Sequence, residues 1–175
     1  DNKSISASYE TLKQEVAPKL LRLFETRTLS DEYATVLYFF LVKIIQCPKC
    51  SKSIDLFKRR IFSSNAVPKK DPSARAICPK CGEIIQSRFD SLFEECNHCG
   101  QSFNPQIGSV HGQMVSCPEC NFKFRLIDAM QSISGPLAHR RFAKMTLHQD
   151  GKKYYEKLNE FDILLEKEIK GEYQT

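Results

Sequence analysis

The stretch Cys47-Pro-Lys-Cys50-Ser is the first of four short segments that begin with Cys-x-x-Cys, and these segments contain all eight cysteines of the chain. Two sulfurs separated by two residues can face one metal ion if the chain turns tightly. That turn favours a residue that tolerates positive φ directly after the second cysteine, and three of the segments have Gly or Asn there. The composition is typical of rubredoxin-type zinc knuckles. The other three segments are Cys78-Pro-Lys-Cys81-Gly82, Cys96-Asn-His-Cys99-Gly100 and Cys117-Pro-Glu-Cys120-Asn121.

Four cysteines around one ion make a closed site, because Zn²⁺ takes four tetrahedral ligands and four thiolates leave no position for water or substrate. Eight cysteines therefore predict two structural Zn²⁺ ions. Disulfides, a thioredoxin-like redox pair and an iron–sulfur cluster are the competing interpretations, and an intracellular chain without a secretion signal disfavours the first. The predicted metal ligands are Cys47, Cys50, Cys78, Cys81, Cys96, Cys99, Cys117 and Cys120.

The spacing of the knuckles indicates which pairs share an ion. Fourteen residues separate Cys81 from Cys96, close to the spacing of a zinc ribbon. The largely hydrophobic segment 83–85 and the apolar residues at 92–93 would join these two knuckles as a hairpin. The outer knuckles would then hold the second ion, and the similar segments that follow them, 53–57 and 122–126, could pair as strands. We prefer this nested scheme, and a sequential scheme in which neighbouring knuckles share each ion stays open.

The composition and the net charge limit which classes of protein this chain can belong to. A hydrophobic content of 41% in 175 residues is enough for a modest core, and no run of apolar residues is long enough to span a membrane. We expect a cytoplasmic protein. The sequence begins at Asp1 rather than at Met, which leaves open whether it is an excerpt of a longer chain. The formal charge of +5 counts the thiols as neutral; ionising all eight cysteines and binding two divalent ions would lower it to +1.

The two flanks predict helices and one strand. Apolar residues at every fourth position from Leu12 to Phe24 predict an amphipathic helix within 9–25, which Pro18 should divide. Residues 34–45 are rich in β-branched and aromatic side chains and predict a buried strand, with a helix capped at Ser30-Asp31 as the alternative. The aromatic run Tyr38-Phe39-Phe40 should belong to the core.

A second helix is predicted near the C-terminus. Asn159 can cap it, Asp162 adds an acid to the first turn where the helix dipole favours it, and Gly171 suits its end. Its apolar stripe consists of Phe161, Leu164, Leu165 and Ile169. These elements predict an α+β protein in which a small zinc-ribbon β-module with two four-cysteine sites is flanked by helices. The predicted parts are an N-terminal helical segment at 1–33, the strand and double zinc ribbon at 34–130, and a C-terminal segment at 131–175.

The connection between the first two knuckles is basic. Residues 47–88 contain ten Lys and Arg against three Asp and Glu, whereas 89–130 contain two against five. Connections this long without evident structure are usually functional or disordered, and cations on a loop pinned by a metal can contact phosphates. A merely solvated surface is the competing interpretation. The candidate DNA contacts in this loop, 58–75, are Lys58, Arg59, Arg60, Asn65, Lys69, Lys70 and Arg75.

The order of these motifs resembles the zinc-ribbon region of adenine-specific DNA methyltransferases of the restriction–modification type. The residues that carry the resemblance are Thr35-Val-Leu-Tyr-Phe-Phe-Leu-Val-Lys43, the four knuckles, Ile54-Asp-Leu-Phe57, Ala66-Val-Pro-Lys-Lys70, Phe103-Asn-Pro105, Gly108, Pro136, His139-Arg-Arg-Phe-Ala143, Gly151-Lys-Lys-Tyr154 and Asp162. The resemblance spans residues 34–169. It implies a part of such an enzyme that contacts double-stranded DNA beside the catalytic portion of the same parent chain.

The catalytic motifs of that family are missing from this sequence. It has no Asp/Asn-Pro-Pro-Tyr motif for the target base and no Phe-x-Gly-x-Gly loop for S-adenosylmethionine, which only the longer parent would bind. The chain is therefore predicted not to be an enzyme by itself, and to serve as the zinc-stabilised target-recognition part of a DNA adenine methyltransferase. The alternative is a zinc-ribbon scaffold or protein-interaction module without DNA binding, since J-domain chaperones also carry four such knuckles.

Overall fold

The computed structural model describes residues 2–28 and 32–172, and the mixed α and β content predicted from the sequence is confirmed. The helices are α1 (Asn2–Arg22), α2 (Leu126–Met130) and α3 (Glu160–Glu172). The strands are β1 (Glu25–Arg27), β2 (Tyr33–Gln46), β3 (Ser53–Asp55), β4 (Ile61–Ser64), β5 (Ser73–Ile77), β6 (Ile84–Arg88), β7 (Glu94–Glu95), β8 (Ser102–Phe103), β9 (Val110–His111), β10 (Met114–Ser116), β11 (Lys123–Arg125), β12 (His139–Leu147) and β13 (Lys153–Glu156).

The strands form one larger sheet and three small ones. The larger sheet has the order β1-β2-β12-β13, and β3 pairs with the end of β2. The small sheets are β4-β5-β6, β9-β10-β11 and the pair β7-β8. Strands of two to five residues bury little apolar surface, so the small sheets need another source of stability.

The described chain divides into two compact units, each built from segments distant in sequence. Unit 1 contains residues up to Phe39, Lys144–Tyr154 and the residues from Leu158 onward, whereas unit 2 contains Phe40–Ala143 and Tyr155–Lys157. The unit boundaries at 39/40 and 143/144 therefore lie beyond the predicted boundaries at 33/34 and 130/131. None of the helices in the described ranges combines the length and apolarity that a bilayer crossing requires.

The strand predicted at 34–45 is confirmed as β2, but its burial changes along its length. Ala34, Val36 and Val42 are buried, whereas Tyr38 is 63% exposed. The prediction that Tyr38-Phe39-Phe40 belongs to the core was thus wrong for Tyr38, and Phe40 does pack against a core cluster. Because residues two apart in a strand face the same side, Tyr38 lies on the same face as these buried residues, and the exposure changes along that face rather than between the two faces. The alternative helix cap at Ser30-Asp31 lies outside the described residues.

The N-terminal helix is longer than predicted and is not divided at Pro18. Helix α1 continues from Asn2 through Pro18 to Arg22. Proline removes one N–H donor and leaves a carbonyl without its helical partner. The side chains of α1 from residue 5 onward are almost all exposed, so water can hydrogen-bond to that carbonyl.

Two strand pairings expected between knuckles were wrong. The segments at 53–57 and 122–126 do contain β3 and β11, but β3 pairs with β2 and β11 pairs with β10. The strand β6 pairs with β5, and Leu92 and Phe93 are exposed outside any strand. Each knuckle is thus followed by a short strand that pairs locally or with the strand before the knuckle.

The basic connection at 58–75 is not a loop without structure. Strand β4 and the beginning of β5 lie inside it and form an antiparallel hairpin, with Ser64 opposite Ala74 at its outer end. The residues between them, 65–72, form the hairpin tip. The prediction failed here because β4 is only four residues long and carries no extended alternating pattern.

The C-terminal helix agrees with its predicted cap. Asn159 Oδ1 accepts a hydrogen bond from the Asp162 amide at 3.0 Å, and Asp162 Oδ2 accepts one from the Asn159 amide at 2.9 Å. This reciprocal pair satisfies two amides at the helix start. The predicted stripe is correct for the buried Leu165 and wrong for Leu164, which is 64% exposed. Gly171 lies within α3 rather than after it.

Candidate metal centres

All four knuckles have the same backbone hydrogen bonds. In each one, the carbonyl of the first cysteine accepts a bond from the amide four residues later, as in Ser51 to Cys47 at 2.9 Å and Gly82 to Cys78 at 3.1 Å. The amide of the first cysteine also donates to the carbonyl five residues later, as in Cys47 to Lys52 at 2.9 Å. These two bonds close a tight turn that points both sulfurs to the same side.

The residue after the second cysteine has positive φ in every knuckle. Gly82 and Gly100 adopt φ of 70° and 69°, and Asn121 adopts 57°. The same role falls to Ser51 at 57°, which the sequence did not indicate because serine has no special preference for this region. The common hydrogen bonds of the turn hold Ser51 in place despite that cost.

The first four-cysteine group combines the first and the last knuckle. Cys47 follows β2 and Cys117 follows β10, so the two knuckles come from opposite ends of the cysteine region. The sulfurs of Cys47 and Cys120 are 3.7 Å apart, as are those of Cys50 and Cys117. The buried residues packed around this group include Ile45, Ile54, Val110, Val115 and Leu137.

The second group combines the two inner knuckles. Its sulfur pairs, Cys78 with Cys99 and Cys81 with Cys96, are 3.7 and 3.6 Å apart. The apolar residues packed around it are Ile61, Ala74, Ala76 and Ile85. The structure therefore has the nested arrangement that the spacing favoured, although the hairpin expected to produce it does not exist.

The sulfur spacing fits one tetrahedral ion in each group. A metal–sulfur bond of about 2.3 Å places the four sulfurs about 3.8 Å apart, whereas a disulfide requires about 2.0 Å. In each group all four sulfurs lie within 4.8 Å of one another, and no cysteine is disulfide-bonded. Each group can hold a metal ion, and within residues 2–28 and 32–172 only cysteines form such groups.

The electrostatics of each group favour a bound cation. Burial opposes ionisation of Cys47, but the amides of Cys50 and Lys49 lower the pKa of its thiol to about 7. A hydrogen bond with the Lys52 amide lowers the pKa of the Cys50 thiol. Burial and the neighbouring sulfurs outweigh this effect and raise that pKa to about 12. The turns thus stabilise one thiolate, and a divalent ion would stabilise the others by neutralising their mutual repulsion.

The candidate DNA contacts fall into two environments. Lys58, Arg59, Asn65, Lys69 and Lys70 are exposed, the last three at the tip of the β4–β5 hairpin. In the described part of the chain, none of the four cations among them forms an ion pair.

Arg60 and Arg75 are half-buried and lie against aromatic rings. The guanidinium carbon of Arg60 is 5.0 Å from the centre of the Phe57 ring, and that of Arg75 is 5.2 Å from the centre of the Tyr155 ring. Burial lowers the pKa of Arg60, while Asp55 and the Cys78 sulfur oppose that change. These two arginines are therefore less available to a phosphate than the exposed cations.

A cation that the sequence did not single out lies beside Arg60. Arg140 forms a bidentate ion pair with Asp55: its Nε donates to Oδ1 at 2.6 Å and its Nη2 donates to Oδ2. The two arginines share a small pocket with Pro79 and Pro118, the prolines of two knuckles from different groups. Only the fold brings these residues together, and no sequence pattern links them.

The fold and site define a mixed α and β protein with two closed four-cysteine groups, each able to hold a metal ion. No protein-family model, no curated protein and no solved structure matches this chain.

The nested grouping can be tested with single cysteine variants. Cys47→Ser should disturb the ion shared with Cys117 and Cys120 and leave the Cys78 group intact, because the two groups have no ligand in common. In ¹¹³Cd NMR of the cadmium-loaded protein we expect one of two resonances to disappear or shift by tens of ppm. Cys78→Ser should affect the other resonance. Coupling of Cys47 to the Cys78 ion would contradict the nested grouping.

Proposed function

We propose that this chain is the zinc-stabilised, non-catalytic DNA-binding and target-recognition part of a site-specific adenine DNA methyltransferase. The observation that carries the proposal is a pair of closed four-cysteine groups in the unit that exposes Lys58, Arg59, Lys69 and Lys70. Closed tetrahedral sulfur sites suit structural Zn²⁺, and elemental analysis should find two equivalents of zinc. The proposed location is the cytoplasm.

The exposed cations suit phosphate contacts. Lysine and arginine that are free of carboxylates can neutralise phosphates, and this supplies affinity and register without reading sequence. Asn65 adds a group able to pair with a base edge, although its Nδ2 donates to the Asp71 carbonyl at 3.4 Å. The tip at 65–72, which joins two strands of the three-stranded sheet β4-β5-β6, carries Lys69, Lys70 and Asn65 on exposed positions. The hairpin tip is therefore the proposed point of contact with the duplex.

DNA binding should depend on salt and on these four cations. Replacing Lys58, Arg59, Lys69 and Lys70 by Ala should weaken binding of a 30-base-pair duplex and make the slope of log K against log salt shallower by about 3 to 4. Fluorescence anisotropy at several salt concentrations measures both quantities. Arg60 is left unchanged because it packs on Phe57.

The matched control removes four exposed cations from unit 1 instead. Lys13, Lys19, Lys152 and Lys167 replaced by Ala give the same change in net charge. We expect this variant to keep most of the affinity and the original slope. Equal losses in both variants would indicate non-specific attraction, and absence of binding at low salt would overturn the proposal.

The methyltransferase assignment has a separate test. Methyl transfer and S-adenosylmethionine binding belong to the catalytic portion of the proposed parent, so the chain alone should not methylate DNA. The complete reading frame around this chain should encode a target-base motif of the Asp/Asn-Pro-Pro-Tyr type. A reading frame without such a motif would contradict the assignment while leaving DNA binding unaffected.

A protein-interaction module is the second candidate. It is favoured by an apolar cleft in unit 2 whose walls expose large side chains. If the chain does not bind the DNA duplex in the titration above, the protein-interaction module replaces the DNA-binding part as the proposed function.

A further inference from the structure

Unit 2 contains a cleft of about 500 Å³, which is within the range of roughly 300–1,000 Å³ typical of binding pockets. It lies beside β2, the segment after β3, and helix α2. The buried side chains of Val42, Phe57 and Phe142 are among its lining residues. It contains none of the eight cysteines, so it is distinct from the metal centres.

Two large apolar side chains that line the cleft are exposed. Leu41 of β2 is 57% exposed, and Met130 of α2 is 37% exposed. Exposed apolar side chains scattered over a surface need no explanation, but side chains that line one concave surface mark a binding site. Covering Leu41 and Met130 with a partner would remove the exposed apolar area of both side chains from water.

The charged residues that line the cleft are all cations. They are Lys43, Lys58 and Arg59, and no aspartate or glutamate lines it. None of the three forms an ion pair within residues 2–28 and 32–172. An occupant with apolar groups inside and negative charge outside would complement both features.

We propose that this cleft docks a short acidic amphipathic segment of a partner protein. Large aliphatic or aromatic side chains of the segment lie between Leu41 and Met130, and its carboxylates face Lys43, Lys58 and Arg59. The inference does not depend on DNA binding. It gives unit 2 a protein-docking surface defined by Leu41 and Met130, which the hairpin tip does not share.

The packing of the rings favours a peptide over an unstacked nucleotide base. Phe57 and Phe142 meet edge to face, with centroids 5.0 Å apart and planes at 88°. Phe62 and Phe142 meet in the same way at 5.2 Å and 87°. Rings packed on one another in a core offer little free face for base stacking, whereas exposed leucine and methionine side chains suit branched apolar partners.

The test is an NMR titration of the ¹⁵N-labelled, metal-loaded full chain with two synthetic peptides. Both carry leucines at helical spacing; one has glutamate at the remaining positions and the other has lysine. The acidic peptide should saturate with shifts at the amides of Leu41 and Met130, and it should bind at least tenfold more tightly than the lysine peptide. Equal affinity for both peptides, or no shifts at the cleft, would overturn the proposal.

Variants on exposed positions separate the cleft from other surfaces. Leu41→Asn with Met130→Gln should weaken the acidic peptide at least tenfold and leave duplex binding unchanged. The matched control, Tyr38→Asn with Ile127→Gln, removes exposed apolar residues from the same strand and the same helix outside the cleft lining. It should keep full peptide affinity. Equal losses in the two double variants would overturn the proposal.

The cleft also shares two cations with the proposed DNA surface. Lys58→Ala with Arg59→Ala should weaken both ligands, whereas Lys69→Ala with Lys70→Ala should weaken DNA only. A single-stranded oligonucleotide and a myristate probe are titrated in parallel. If either of them shifts the amides of Leu41 and Met130 while the acidic peptide does not, the occupant is a nucleotide or a lipid and the peptide proposal fails.

Discussion

A strong chelator should unfold unit 2 of the metal-loaded protein. Each four-thiolate site contributes on the order of 10–16 kcal/mol near neutral pH, which equals or exceeds the roughly 5–15 kcal/mol of stability of a whole domain. Two of the three apolar clusters in unit 2 include ligands of the cysteine groups themselves. Around the second group, the described residues that are apolar and buried are Ile61, Ala74, Ala76 and Ile85, together with two of the ligands themselves.

The measurement combines metal content with structure. As the metal content falls from two equivalents to zero, the amide resonances of residues 40–143 should move to the narrow range of chemical shifts typical of an unfolded chain. The far-ultraviolet circular dichroism should lose its strand contribution. Adding zinc back under reducing conditions should restore both signals. A metal-free protein that keeps its dispersed spectrum would show that the apolar clusters alone stabilise unit 2, and the structural role of the metal would be refuted.

Replacing Lys144 by Met should destabilise unit 1 by about 3–5 kcal/mol, because it leaves a buried carboxylate without its cation. Lys144 Nζ lies 2.7 Å from Asp162 Oδ2, and both side chains are 1% exposed. Asp162 Oδ1 accepts a further bond from Thr26 Oγ1 at 2.6 Å, and Lys144 also donates to Thr26. The network links β12, β1 and the start of α3.

Thermal or urea unfolding followed by the NMR signals of unit 1 measures this loss. The matched control is Lys152→Met, since Lys152 is 76% exposed and lies 4.0 Å from Asp150; a surface pair of this kind contributes about 0–1 kcal/mol. Adding Asp162→Asn to Lys144→Met removes the unpaired buried carboxylate and should recover part of the free energy of unfolding. Equal effects of Lys144→Met and Lys152→Met would contradict the role of the buried pair.

The helix cap formed by Asn159 and Asp162 could be predicted from the sequence, whereas the ion pair between Lys144 and Asp162 could not. Asn159 and Asp162 are three residues apart at the start of an apolar periodic segment, and their reciprocal hydrogen bonds follow from that spacing alone. Lys144 is eighteen residues before Asp162 in an unremarkable basic and apolar stretch. Nothing local distinguishes a lysine that will be buried from one that will be solvated.

The strand pairings also could not be predicted from local sequence. Residues 34–45 were recognisable as a strand because β-branched and aromatic side chains suit a pleated, half-buried surface. The partners of β3, β6 and β11 were not predictable, since strands of three to five residues carry too few side chains to specify a partner. The strands of the hairpin β4–β5 are short for the same reason, so the sequence predicts a loop over the basic segment.

The sequence by itself determined the eight candidate ligands and the shape of the turn that carries each pair. In three knuckles both are local, because two cysteines two residues apart are followed by Gly or Asn, which accept positive φ; Ser51 adopts the same φ without that preference. The knuckle spacing favoured the nested grouping, and the tertiary structure has it. The tertiary structure alone decided which cations are exposed and that Lys43, Lys58 and Arg59 line one apolar cleft. These outcomes depend on how short strands from distant parts of the chain pack around a common centre, and no residue's immediate neighbours encode that packing.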